Sequence, residues 1–140
     1  MVNILVCDDD KEIAGALEIY LRNEGYNVFK AYDGMEALNI VKQNQIHLIL
    51  MDVMMPNLDG IQATMKIREE NNIPIIMLSA KSEDYDKIIG LNVGADDYIT
   101  KPFNPLELIA RVKSHLRRFT RLGSMYAEGK EGIYTSGGLE

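Results

Sequence analysis

The chain has 140 residues, a formal net charge of −6 and a single cysteine. That length suits one compact domain with a short tail, large enough for a core without disulfides or a structural metal. The acidic balance argues against gripping nucleic acid by general electrostatics, and one thiol cannot form an internal bridge.

No run approaches the ~20 consecutive apolar residues that cross a bilayer. The chain enters Asn3-Ile4-Leu5-Val6 without a basic leader, so the expected setting is cytoplasmic, with no membrane partner. Charge is unevenly spread: Asp8-Asp9-Asp10 and Glu83-Asp84 are acidic, whereas Arg111, Lys113, Arg117, Arg118 and Arg121 crowd the late part.

Residues 3–7 form the first short apolar run, and Cys7 within it is explained by packing rather than reactivity. A helical pattern follows in which Ile13, Leu17, Tyr20 and Leu21 share one face before Gly25 stops it. Residues 27–32 predict a second strand, and 34–43 a helix with Ala37, Leu38 and Val41 inward. The third and fourth strands, 48–51 and 75–78, are apolar throughout rather than alternating. Such runs suit strands buried on both faces of a parallel sheet covered by helices. Between them a helix begins near Asp59-Gly60, carries Ile61, Met65 and Ile67-Arg68, and ends at Asn71-Asn72.

Ser82 is the candidate N-cap of a fourth helix with an acidic first turn. A fifth strand spans 97–99. Asn104 and Pro105 then open a fifth helix that runs to about Phe119. This repetition predicts an α/β fold, a (βα)5 doubly wound parallel five-stranded sheet, because parallel neighbours need right-handed crossovers. After Arg121 the texture changes: Gly123-Ser124 and the stretch from Glu128 to Gly132 are linker-like, and Ile133-Tyr134 could begin another strand. Residues 122–140 therefore read as a tether.

In open α/β sheets, sites form outside the carboxyl ends of the strands. There the sequence places Asp8, Asp9 and Asp10 after the first strand, Asp52 after the third, Ser79 after the fourth and Lys101-Pro102 after the fifth. Neighbouring carboxylates repel one another, and a hard divalent cation such as magnesium resolves that conflict. Such an ion also neutralises an incoming phosphoryl group, so an ionised aspartate can act as nucleophile without a general base. Lys101 adds positive charge, and the Ser79 hydroxyl can donate to a phosphoryl oxygen.

Blander explanations compete with each assignment. Asp10, before Glu12-Ile13, is better read as a helix cap than as a ligand. Ser79 or Lys101 alone would be an ordinary loop serine or exposed lysine. An unpaired carboxylate ending a buried strand is costly, so Asp52 favours a functional reading. Their joint placement at four strand ends carries the argument. His47 and His115 lack metal-ligand spacing, and the methionines clustered in or beside strands read as core.

With these segments the chain resembles the receiver domain of two-component response regulators over residues 1–121. The matching motifs are Asp8-Asp9-Asp10, Met51-Asp52-Val53-Met54-Met55-Pro56 with Asp59-Gly60, Met77-Leu78-Ser79-Ala80, and Gly94-Ala95-Asp96-Asp97-Tyr98-Ile99-Thr100-Lys101-Pro102-Phe103. The resemblance implies a flavodoxin-like sheet of order 2-1-3-4-5. It makes Asp52 the phosphoacceptor for a sensor histidine kinase. Asp8, Asp9, Asp52 and the Met54 backbone carbonyl would hold Mg2+, or alternatively Mn2+. Ser79, Ala80 and Lys101 would surround the phosphoryl group, Lys101–Pro102 would be cis, and Ser79 with Tyr98 would form the switch.

The fifth segment is similar to the OmpR/PhoB-type subgroup. That similarity implies a homodimer on phosphorylation, with Lys87–Glu107, Asp97–Arg111 and Asp96–Arg118 as ion pairs between subunits. It also implies transcriptional control through a C-terminal winged-helix DNA-binding domain whose start Gly137-Gly138-Leu139-Glu140 resembles, so that residues 122–140 would be a linker with only the first residues of that domain. Such a protein is no enzyme on a diffusible substrate; it catalyses only its own phosphorylation and dephosphorylation. Two other readings compete. A haloacid dehalogenase-type phosphatase would use Asp8-x-Asp10, but Lys11-Glu12 follows and no cap domain fits the length. A flavodoxin-like carrier would place three aspartates against a flavin phosphate.

Overall fold

A computed structural model describes residues 1–80 and 94–131. Its elements are β1 (Asn3–Cys7), α1 (Lys11–Asn23), β2 (Asn27–Ala31), α2 (Gly34–Gln43), β3 (Leu48–Asp52), α3 (Gly60–Arg68), β4 (Ile75–Ala80), β5 (Asp97–Lys101) and α4 (Pro105–Glu131). The helix expected from Ser82 and the strand expected at Ile133-Tyr134 lie outside the described residues.

The strands form one parallel sheet in the order β2-β1-β3-β4-β5. Strand residues alternate between two core layers, as the two-residue period requires. Ile4, Val6, Leu48, Leu50, Ile76, Leu78 and Ile99 face α1 and α4, whereas Leu5, Cys7, Ile49, Met51, Ile75 and Met77 face α2 and α3. Every residue of β3 is buried, which explains why its sequence does not alternate. No helix among the described residues is long and apolar enough to cross a membrane.

Local chemistry sets the helix boundaries. Asp10, Asp33 and Asp59 cap α1, α2 and α3 by accepting backbone N–H groups of their first turns. Asn104 Oδ1 accepts from Leu106 N–H at 2.8 Å and Glu107 N–H at 3.3 Å, opening α4 behind Pro105. Gly25 takes φ 91° after α1, a left-handed value that closes the helix cheaply only for glycine.

Two expectations need correction. Met54, read as core with the other methionines in or beside strands, is 68% exposed in the loop after β3; the buried stripe of α3 is Gly60, Ala63, Thr64 and Ile67, whose small members let the helix sit close to the sheet. The last helix, expected to end at about Phe119, continues to Glu131. No proline interrupts that stretch, and its isolated glycines each cost only about 1 kcal/mol in a helix.

Gly60 ties the fold to the site. Its N–H donates to Val53 O at 2.8 Å, and a Cβ there would run into the carbonyl oxygen of Asp52. The demand is close approach of two backbones rather than an unusual φ. Gly60→Ala should lower stability by about 1–3 kcal/mol, seen as an earlier urea unfolding midpoint. A midpoint equal to the parent's would show that the loop has room to spare.

Candidate phosphoacceptor and metal site

Parallel pairing delivers the chemistry to one edge. Cys7 is paired with Met51, so Asp8 and Asp52 emerge side by side from β1 and β3. Ala80 is paired with Lys101 at the other end of the sheet. The Lys101 side chain crosses back, placing Nζ 2.9 Å from Asp8 Oδ2 and 3.1 Å from Asp52 Oδ1. Asp8 is fully buried, and its Oδ1 also accepts from Asp10 N–H at 3.0 Å. Asp9 is exposed, and carboxylate oxygens of Asp8, Asp9 and Asp52 lie within 4.8 Å of one another.

The electrostatics follow from this crowding. Burial, reinforced by the Asp8 charge, pushes the Asp52 carboxyl up to about 6, although Lys101 pulls the other way. Burial alone would lower the Lys101 ammonium; its bonds to Asp8 and the charge of Asp52 override that and hold it above its ordinary value. Cys7, directly beneath, is pushed far up by burial and by Asp8, so its thiol is inert. Three carboxylates facing one ammonium leave excess negative charge around an oxygen-only donor set. That set fits Mg2+ or Mn2+ rather than a thiophilic ion.

Ser79, the penultimate residue of β4, is nearly buried, its hydroxyl donating to Ala80 O at 3.4 Å, and Ala80, which ends the strand, is exposed. The Met54 side chain is 68% exposed in the loop after β3, and the Lys101–Pro102 peptide is cis. Tyr98 is partly buried against the α2–α3 core layer. Asp10 is the cap of α1 rather than a member of the carboxylate cluster.

The residues assigned to a dimer face are engaged within the chain. Arg111 bonds Asp97 at 2.7 Å and Glu107 at 2.8 Å. Asp96 bonds Arg68 at 2.7 Å, not Arg118. Arg118 instead reaches His115 Nδ1 at 3.0 Å; since a guanidinium only donates, Nδ1 accepts and Nε2–H donates to Asp97 Oδ2 at 2.9 Å. Burial would raise the Asp97 carboxyl, but bonds from His115 and Tyr98 N–H, with the Arg111 charge, hold it below its ordinary value. Use of these charges between subunits therefore requires an exchange of partners. Lys87 lies outside the described residues.

Sequence reasoning missed Arg68 and His115. Only the helical phase of His115, beside the inward Val112 and Leu116, hints at its buried role.

Comparison with known proteins agrees with this geometry. The model of the response regulator receiver domain matches residues 4–113. The regulatory protein VanR of Enterococcus faecium is 48% identical over 134 residues, covering 96% of this chain and 58% of VanR. The response regulator GtcR of Aneurinibacillus migulanus is 49% identical over 115 residues, covering 82% of this chain and 48% of GtcR. This chain thus spans about half the length of the curated relatives it matches. The structure of the Francisella response regulator 1452 receiver domain superposes with a TM-score of 0.79 at 43% identity, covering 84% of this chain and 98% of that one. The chain belongs to the response regulator receiver domain family.

Proposed function

We propose that this domain is a phosphorylation-driven switch in which Asp52 receives a phosphoryl group from a sensor histidine kinase. The observation that carries the reading is the Asp52 carboxylate held 3.1 Å from Lys101 Nζ, beside Asp8 and Asp9, at the carboxyl end of the central strand. An Asp52 oxygen attacks phosphorus in line, forming an O–P bond as the P–N bond to the kinase imidazole breaks; the departing imidazole takes a proton. Lys101 already sits against Asp52, where its ammonium can balance charge on the transferring group.

Asp8, Asp9 and Asp52, with the Met54 carbonyl, are the residues that would hold Mg2+ or Mn2+. When bound, such an ion supplies charge neutralisation for the phosphoryl oxygens. Ser79 and the exposed Ala80 border the space the phosphoryl group would occupy, and Lys101 provides its cationic wall. Motion of Ser79 toward the new oxygens, followed by Tyr98, would carry the change to the β5–α4 face. There a second copy would be engaged through Glu107, Arg111, Asp96, Asp97 and Arg118, with Lys87. Transcriptional output would require a DNA-binding domain beyond this chain, as would any contact with DNA. The chemistry is confined to the protein's own phosphorylation and dephosphorylation, with no diffusible substrate turned over, in the cytoplasm.

Acetyl phosphate with Mg2+ should add one phosphoryl group by intact mass, labile to hydroxylamine. Asp52→Asn should abolish the gain, and Lys101→Ala should slow it by roughly 10²-fold. A label that survives Asp52→Asn and is lost with Asp8→Asn would favour the phosphatase reading instead.

The dimer is tested separately by light scattering with and without beryllofluoride. Activation should move the mass toward a dimer, and Arg111→Ala should weaken that shift. An unchanged monomer mass on activation removes the dimer from the account.

A further inference from the structure

The segment leaving Asp52 is fastened at two points outside the carboxylate cluster. At its base, Gly60 N–H bonds Val53 O and the Gly60 backbone abuts the Asp52 carbonyl. At its tip, Asn57 has φ 67°, the single non-glycine residue in the left-handed region among those described. Asparagine is among the few side chains that tolerate this conformation, and such outliers persist only where their surroundings enforce them.

The enforcing partner is Asp33. Asn57 Nδ2 donates to Asp33 Oδ2 at 2.8 Å, while Asp33 Oδ1 accepts Glu36 N–H at 2.9 Å and caps α2. The two carboxylate oxygens thus serve different elements. The neighbouring Gly34 N–H donates to Leu58 O at 3.1 Å, and any Cβ on Gly34 would collide with that carbonyl. The hydrogen bonds from Glu36 N–H and the Asn57 amide hold the Asp33 carboxyl below its ordinary range. The loop is therefore buckled to the N-terminus of α2 at one end and clasped to the Asp52 backbone at the other.

We propose that the Asp33–Asn57 pair positions the cation and phosphoryl site, fixing the loop so that Asp52 and the Met54 carbonyl meet the ion in a ready-made arrangement. Neither residue touches the reacting atoms; both act through the loop, as outer contacts of metal ligands commonly do. The inference rests on the magnesium and Asp52 reading above. An exposed hydrogen bond at a loop tip adds little to folding, so its effect should be read in binding rather than in stability.

The test is calorimetric titration with Mg2+ alone, on the wild-type chain and on Asp33→Ala, Asp33→Asn, Asn57→Gly and the Asp33→Ala/Asn57→Gly double variant. Asp33→Ala and Asn57→Gly should each weaken binding on the order of tenfold. Glycine keeps the left-handed backbone, so Asn57→Gly should stay folded without the bond. Asp33→Asn loses the charge but keeps its oxygen for Glu36 N–H, and its new NH2 can donate to Asn57 Oδ1 once the Asn57 amide turns over, so it should bind within about twofold of wild type. The double variant should be no weaker than either single, because each already removes the same bond.

Unchanged affinity in Asp33→Ala and Asn57→Gly would overturn the proposal, as would an Asp33→Asn loss equal to that of Asp33→Ala. The latter outcome would mean that charge, not position, is at work. A wild-type chain that takes up neither Mg2+ nor a phosphoryl group would remove the underlying reading and this inference together, which distinguishes the two failures.

Discussion

The ammonium of Lys101, shared between Asp8 and Asp52, is the contact on which the site depends. It links the last residue of β5 to the carboxyl ends of β1 and β3, across the full width of β4. Asp8 is wholly buried and Asp52 nearly so, and two such charges side by side would be costly without a cation. The compensation is incomplete. One lysine facing three carboxylates leaves a site that favours a divalent cation and resists full ionisation without one. On the proposed reading a phosphoacceptor would benefit from that imbalance, because the charge that strains the metal-free state would attract the ion and, through it, the phosphoryl group.

The fold makes this arrangement stiff. Asp52 and Lys101 are terminal strand residues, with Asp52 paired to Leu78 and Lys101 to Ala80, so ladder hydrogen bonds fix their backbones. Beneath them the two core layers pack α1 and α4 on one face and α2 and α3 on the other. Aspartate recurs as the cap of three helices, each N-terminus lying at the same edge as the site. Helix capping and the buried carboxylate cluster thus draw on one residue type, and only the surroundings separate the roles. Asp10 faces its own helix; Asp52 faces Lys101.

Much of this was legible in the sequence because it is written in short-range signals. Unbroken apolar runs at 48–51 and 75–78 identify buried parallel strands, and the polar residues that follow them identify the edge where chemistry collects. The strands are longer than those runs: β3 takes in Asp52, β4 takes in Ser79 and Ala80, and β5 takes in Lys101. Polar residues can extend a strand when its ladder partner is present, and that pairing is a tertiary fact. The same limit hid the long-range pairs. Arg68 with Asp96, Asn57 with Asp33 and His115 with Asp97 join segments 28, 24 and 18 residues apart. No periodicity announces such partners. Met54 misled because its hydrophobicity suggests burial, whereas it stands exposed in the loop that leaves β3.

Asp52 sits in a charge environment that the protein only partly compensates. Because its folded carboxyl is raised above the unfolded value of 3.8 to about 6, ionised Asp52 opposes folding above that range. Protonation relieves the penalty as pH falls from about 6 toward 3.8. The most direct test follows the side-chain carboxyl carbon of Asp52 by NMR across that window in metal-free protein, then with saturating Mg2+. The midpoint should lie near 6 without metal and fall sharply when magnesium binds. An Asp52 that titrates like an exposed carboxylate in metal-free protein, and does not move with magnesium, would contradict such a charge environment.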